Sequence, residues 1–347
     1  MVVPFTFEDQ RLAESLASQA AIALTNRMLI TQLEMLFESL IGLINTAIDD
    51  KSPYTGGHCK RVPALTMMLA EAAALSIDGP LAEFKMTDKD RYELKIAGLL
   101  HDCGKITTPE WVMDKATKLQ SINDRIELVA LRFAKRAAER EAACWQGIAE
   151  GGDRAVALAL LREQVLAIDD DLTFIRKANI GGETMIAADQ ERIRTLGRAG
   201  WLTVDEVRNL SIARGTLLPE EREVINHHIV ATLRMLEKLP FPAHLAQVPE
   251  IACGHHERMD GKGYPKGLTR EQMSVPARIM GIADVFEALT AGDRPYKKAM
   301  KLSEALAILA TMARDGHIDP DLHRVFVEAK VWQAYARKFL QADQLDL

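Results

Sequence analysis

The heptapeptide Leu99-Leu100-His101-Asp102-Cys103-Gly104-Lys105 interrupts an apolar helical run (Leu94, Ile96, Ala97, Leu99, Leu100) with an imidazole beside a carboxylate, followed within one turn by a glycine and a lysine. A charge on a buried helix face must be paired or bound to a metal, so the segment reads as the centre of a metal site. Further donors stand at helix ends or on inward faces. His58 opens a helix after Gly56-Gly57. His228 lies on the face of Ile225, Ile229 and Thr232, whereas His227 aligns with Val224, Ala231, Arg234 and Lys238; His228 therefore points inward and His227 outward. His255-His256 end another helix just before the glycine-rich Asp260-Gly261-Lys262-Gly263-Tyr264-Pro265. Asp284 sits among Ala277, Gly281 and Ala288, a face that lets backbones approach closely around one carboxylate.

Each residue alone has an ordinary reading, as a surface histidine, a hydrogen-bonded core histidine or a structural aspartate. Together they supply five imidazoles and two carboxylates. This donor set suits Fe, Mn, Zn, Co or Ni better than Mg or Ca. It exceeds the needs of one ion and suits two. Asp102, with two oxygens, is the natural bridge; one metal takes His58, His101 and Asp284, the other His228, His255 and His256. Two metals about 3.5–4 Å apart clamp the attacking and leaving oxygens of an in-line displacement at phosphorus and activate a bridging water to hydroxide. Lys105 can offset charge on the phosphate oxygens, and Arg294 can clamp a second phosphate. The expected reaction is phosphodiester hydrolysis, with Asp102 and Lys105 as the catalytic pair and no covalent intermediate.

The elements that must carry these residues are helices. The chain has 347 residues, 48% of them hydrophobic and only 5% aromatic, and its abundant Ala and Leu favour helix over sheet. The length allows two domains, or one with a large insertion. A net charge of −6 argues against general nucleic-acid binding, but not against a small anion held by metals. Four scattered cysteines fit reduced thiols and a cytoplasmic location. No signal peptide and no membrane-length apolar run are expected.

Residues 6–45 read as a long helix, with Thr6 as N-cap and Leu12, Leu16, Gln19, Ala20, Ala23, Leu24, Met28 and Leu33 at helical spacing. Such a helix suits a dimer-forming stalk. The stretch from Phe5-Thr6-Phe7-Glu8-Asp9 through Leu16 to Leu24 resembles the last helix of a GAF sensor domain, which implies a fragment or truncated descendant of a sensor, with residues 1–45 as a signalling helix. Ser52 to Gly57 break the stalk. Asp88 is expected to cap the helix leading to His101, with Pro109 marking its end. Residues 108–217 change character: rich in Arg, Glu and Ala, without histidine, and punctuated by Gly151-Gly152-Asp153 and Gly181-Gly182. They read as an inserted set of helices presenting solvated or partner-binding faces. Pro219 opens the His228 helix, Met273–Ala291 form the Asp284 helix, and helices at 303–314 and 321–340 close the chain. His244, His317 and His323 receive no ligand role.

His101-Asp102 with Gly104-Lys105, His255-His256-Glu257 with Asp260-Gly261-Lys262-Gly263-Tyr264-Pro265, and Ala283-Asp284 with Arg294-Pro295-Tyr296-Lys297 closely resemble the HD-GYP family of the HD phosphohydrolase superfamily. The resemblance runs from Ile41 to Ala329, interrupted at 108–217. It implies an all-α HD-type bundle over 46–342, a di- or tri-metal centre commonly of iron or manganese, and hydrolysis of cyclic di-GMP to linear pGpG or GMP. It also implies that Gly261, Gly263, Tyr264 and Pro265 shape substrate binding or contact a signalling partner such as a diguanylate cyclase. Two departures bear on this. Tyr54 stands where some members carry a glutamate associated with a third metal, which favours two metals here. Ser52 stands where an aspartate often precedes the proline. Two other readings fit the residues: hydrolysis of another cyclic dinucleotide, or a metal-containing nucleotide receptor or scaffold that signals without turnover.

Overall fold

The computed structural model describes residues 5–52, 57–182, 184–292 and 299–347. The chain is all-α: among the described residues there are helices and isolated bridges but no sheet. Helix α1 spans Phe7–Lys51, α2 His58–Ala74, α3 Asp88–Leu100 and α4 Glu110–Met113. Helices α5 (Ile126–Ala149), α6 (Arg154–Asn179), α7 (Ala187–Arg198) and α8 (Val204–Leu210) follow. The chain closes through α9 (Pro219–Leu236), α10 (Val248–Cys253), α11 (Val275–Thr290), α12 (Leu302–Arg314), α13 (Pro320–Glu328) and α14 (Val331–Phe339).

Two hydrophobic cores organise these helices. The larger gathers Leu65 and Leu69 of α2, Leu94 and Ile96 of α3, Leu236 of α9, Ile251 of α10, Ile279, Ile282 and Phe286 of α11, and Leu322, Phe326 and Tyr335 behind them. The helices that carry the candidate ligands pack here, with α11 against α2 and α10, and α3 against α2 and α10. The second core lies wholly within the segment read as an insertion. It joins Leu119, Val129, Phe133, Ile168, Ile175, Ile193 and Leu210, and α5 and α6 form a long hairpin within it. Asp153, after the glycine pair, accepts from the amides of Ala155 and Val156 and caps α6. Phe133 is fully buried against Trp201, ring centroids 4.8 Å apart. The segment is tied to α9 by Lys115, whose buried ammonium donates to Glu221 at 2.8 Å and to Asn209 at 3.0 Å.

Several boundaries differ from those expected. α1 continues beyond residue 45 to Lys51, with Ser52 as C-cap, because Ile41, Asn45 and Ile48 pack onto the body of the protein. Thr6 does cap it, in a reciprocal pair with Asp9. The cap of α3 is Thr87, not Asp88: the Thr87 hydroxyl accepts from the Asp90 amide, and the Asp90 carboxylate accepts from the Thr87 amide. α3 stops at Leu100 rather than near Pro109; His101 is its C-cap, and Cys103–Thr107 form a tight 3-10 turn. The closing 321–340 helix is two helices, interrupted at Lys330 in the left-handed region (φ 53°). The expectation that no apolar run reaches membrane length also needs correction. By length and composition one window of α1 does, though it is only 6% buried here and lies in the exposed arm. Its Leu12, Leu16, Leu24, Met28 and Leu33 are all exposed.

The separate second core generates a prediction. Phe133→Ala removes a fully buried ring and should cost that core about 3–5 kcal/mol. Urea unfolding followed by tryptophan fluorescence should show an earlier transition reported by Trp145 and Trp201. Metal content of the protein at low urea should be unchanged.

Candidate metal centre

All seven expected ligands lie together at the meeting of five elements. His58 is the first residue of α2; His101 and Asp102 follow α3; His228 is in α9; His255 and His256 lie in the 3-10 turn Gly254–His256 after α10; Asp284 is in α11. His228 is buried and His227 exposed, as their helical phases require.

Four of the five imidazoles are held by their outer nitrogens. His101 Nδ1 is 2.7 Å from the Gly98 carbonyl, His228 Nδ1 2.6 Å from Ile225 and His255 Nδ1 2.6 Å from Ala252. In each case the carbonyl lies three residues earlier, so a helical turn orients the ring. A backbone carbonyl only accepts, so Nδ1 carries the proton and Nε2 presents its lone pair inward. His58 Nδ1 is likewise 2.5 Å from the buried Glu287 carboxylate, which Arg61 Nε braces at 2.6 Å. The inner nitrogens then converge: His58 and His101 Nε2 are 3.3 Å apart, and His228 and His256 Nε2 are 3.2 Å apart.

Asp102 stands between these pairs. Its Oδ2 is 3.1 Å from His58 Nε2 and 3.3 Å from His101 Nε2, while its Oδ1 is 3.3 Å from His228 Nε2. Asp284 Oδ1 is 3.3 Å from His58 Nε2. The donors fall into overlapping groups, His58 with His101 and Asp284, His228 with His255 and His256, and His101 with Asp102 and His255, each with its ligand atoms within 4.8 Å of one another. Asp102 Oδ1 and His255 Nε2 are buried without a hydrogen-bond partner. Lone pairs facing one another and orphaned acceptors in a buried site fit divalent cations, which accept the lone pairs that no N–H here meets.

The charged groups of the site are strongly coupled to one another. Burial alone would push His58 down, but Asp102, Asp284 and Glu287 outweigh it and hold the imidazole well above its ordinary value. Burial opposes ionisation of Asp102 too; Lys105, His101 and His228 nevertheless hold its carboxyl well below the usual range. Asp284 is lowered as well, against burial, chiefly by His58 and His255. Burial drives His255 down to about 4, and burial with the neighbouring His255 lowers His256.

Lys105, expected at a phosphate, lies 2.5 Å from Asp102 Oδ2, half-buried. Gly104 is constrained by α9: a Cβ there would lie 2.0 Å from the His228 carbonyl oxygen and 2.5 Å from the Thr232 nitrogen. The Gly104 amide donates to Thr232 Oγ1 at 2.9 Å, tying the His-Asp turn to the His228 helix.

The glycine-rich loop lies over the His256 side. Tyr264 stacks on the His256 ring, centroids 4.8 Å apart and planes 22° from parallel, and Tyr264-Pro265 is cis. Gly261 adopts φ +73°, and a Cβ on Gly263 would lie 2.4 Å from the Arg258 nitrogen. The buried Glu257 carboxylate accepts from the Lys266 and Leu268 amides at 2.7 and 2.9 Å and holds the loop's return. Arg294 and Tyr54 lie outside the described residues. Sequence reasoning passed over Glu287 and Arg61. The available signal was spacing: Glu287 is three residues after Asp284, and Arg61 three after His58, so each shares its ligand's helix face.

Two outcomes are expected. Glu287→Gln keeps the shape but weakens the hold on His58 Nδ1, and should lower divalent-metal affinity about 10- to 100-fold in chelator competition. In metal-stripped protein, His255 and His256 are neutral when folded but bind protons when unfolded below the ordinary histidine value. Stability therefore falls as pH drops from about 6.5 towards 4, by about 1.4 kcal/mol per pH unit for each group. Denaturant titrations at stepped pH check this, and His255→Gln should flatten the slope.

Comparison with known proteins bears on this geometry. HD-domain family models match residues 55–169 and 196–322. The chain is 41% identical over 115 residues to the cyclic di-GMP phosphodiesterase PA4108 of Pseudomonas aeruginosa, covering 33% of this chain and 27% of that protein. It is 25% identical over 285 residues to the 3'3'-cGAMP-specific phosphodiesterase 3 of Vibrio cholerae, covering 82% and 37%. It is 33% identical over 126 residues to a cyclic di-GMP phosphodiesterase of Thermotoga maritima, covering 36% and 33%. The matches thus span little more than a third of these relatives at most. Between them the two HD-domain matches cover the His-Asp pair and the glycine-rich loop; the chain belongs to the HD-domain family, and the matches support the HD-GYP type.

Proposed function

We propose that this chain is a metal-dependent phosphodiesterase that hydrolyses cyclic di-GMP to linear pGpG or GMP. The observation that carries the reading is the convergence of imidazole Nε2 atoms, with the Nδ1 atoms of His58, His101, His228 and His255 already engaged, on the buried carboxylate of Asp102 and the half-buried one of Asp284. His58, His101 and Asp284 would hold one divalent ion and His228, His255 and His256 the other, with Asp102 shared. Fe or Mn is the favoured pair for this ligand set, with Zn, Ni or Co also compatible. Such ions would supply Lewis acidity towards a phosphate and an activated water.

The chain's own residues would do the rest. Glu287 and Arg61 fix the orientation of His58. Lys105 stays cationic, because Asp102 and Asp284 outweigh the burial that would discharge it, and a substrate phosphate can share it with Asp102. Tyr264, its phenol pushed up to about 12 mainly by burial, remains a neutral hydrogen-bond donor beside His256. With Gly261, Gly263 and Pro265 it forms the wall where a substrate base or a partner such as a diguanylate cyclase would be met; Arg294 would clamp a second phosphate.

The catalytic unit would be residues 46–342, carrying the helical insertion within 108–217. The GAF-like α1 would serve as a stalk pairing with a second copy, since its apolar residues stand exposed along the arm. A cytoplasmic location agrees with four free cysteines. A second reading, hydrolysis of 3'3'-cGAMP, is favoured by the relative of that specificity that aligns with 82% of this chain.

The test is anaerobic purification and reconstitution with Fe(II) or Mn(II), then incubation with cyclic di-GMP and with 3'3'-cGAMP. Linear product from cyclic di-GMP at the higher kcat/KM supports the first reading, and the reverse preference the second. Binding of both without any product would turn the reading towards a receptor. Asp102→Ala should lose both metals; one ion fully retained would remove the shared role from Asp102.

A further inference from the structure

The turn bearing His101 and Asp102 needs support on two sides. A helix ends with carbonyls that have no partner within it, and α3 ends at Leu100, directly before the ligand pair. On one side the turn is tied to α9 through Gly104 and Thr232. On the other it meets the C-terminal part of α1. There Asn45, buried on a helix whose outer arm is exposed, donates from Nδ2 to the Leu99 carbonyl at 3.0 Å. Lys51 donates from Nζ to the Ile106 carbonyl at 2.6 Å. Ser52 donates to Asp114 at 2.5 Å, just beyond α4. The carbonyls held by Asn45 and Lys51 thus flank the segment His101–Lys105 at both ends, 54 and 55 residues along the chain from their donors.

We propose that Asn45, assisted by Lys51, is a positioning residue for the metal centre: α1 reaches across the chain and fixes the backbone that aims His101 and Asp102. The inference rests on the metal-centre reading given above. It explains why an amide is buried where the neighbouring contacts, Ile41 and Ile48, are apolar. A Leu there would fill the space and leave the Leu99 carbonyl unmet. It also gives the exposed arm a mechanical connection, since movement of α1 acts directly on the ligand turn.

The test compares Asn45→Leu, Asn45→Asp, Asn45→Gln and Lys51→Met in the full chain. Cobalt(II) affinity is measured by chelator competition, with the visible spectrum of the bound ion, the melting temperature of the metal-free protein, and kcat and KM recorded separately. Asn45→Leu and Asn45→Asp should weaken cobalt binding about tenfold and change its d–d bands. Asn45→Gln, which keeps the donor, should restore both, and Lys51→Met should show a smaller change in the same sense. The main kinetic effect should fall on kcat. Wild-type cobalt affinity and spectrum in Asn45→Leu and Asn45→Asp, whatever their melting temperatures, would overturn the proposal. If Asn45→Leu does not fold, wild-type affinity and spectrum in Lys51→Met and Asn45→Asp do so. A wild-type chain that binds no cobalt would instead overturn the metal-centre reading, and this inference with it.

Discussion

The structure depends on keeping lone pairs turned inward in a buried place. Carboxylates as buried as Asp102 and imidazoles as buried as His101, His228 and His255 would each be costly alone. The fold meets that cost by assigning every outer nitrogen that it engages to a specific acceptor. Three rings use the carbonyl of their own helical turn. His58, at the first residue of α2, has no preceding turn to use. It takes Glu287 instead, a residue of α11, and Glu287 is in turn held by Arg61. The position of each ligand in its helix therefore decides what else the protein must provide.

This explains which parts of the site were legible in the sequence. His101-Asp102 stood out because polar residues interrupted a hydrophobic face, and His228 separated from His227 because a helix fixes which of two neighbours points inward. The ring-orienting carbonyls needed no sequence signal, since any residue supplies one. Glu287 was not recovered, because a glutamate three residues from an aspartate on a helix is common and only the packing of α11 on α2 gives it a partner. Gly104 was noticed beside the pair, but its constraint was not legible: sequence shows that a side chain is absent, not which backbone occupies the space. The boundaries failed where tertiary contact overrides local signals. α1 extends to Lys51 because its last turns are packed, and the terminal helix divides at Lys330, a residue type without turn preference.

The segment 108–217 follows a different logic. Its core is separate from the one behind the ligands. One of its attachments is to α9. Lys115 and Glu221 form a buried ion pair at the first turn of α9, seven residues before His228. Breaking one partner of such a pair is costly, because it leaves the other charge buried and unpaired. The segment is therefore held firmly at the start of the helix that carries His228.

The spacing between ligand-bearing elements is finally set by residues that bind nothing. A Cβ on Gly104 would strike the backbone of α9, and one on Gly254 would lie 2.8 Å from Ala277 on α11. One on Gly281 would lie 3.3 Å from the His255 carbonyl oxygen, and one on Gly263 would strike Glu257 and Arg258. Each contact joins a segment carrying one ligand to a segment carrying another or to the loop above them. Imidazole and carboxylate reach only a few ångströms, so a displacement of one backbone by the width of a methyl group would take a ligand out of its group. The seven donors state what the centre can bind, and these small residues decide whether the donors meet.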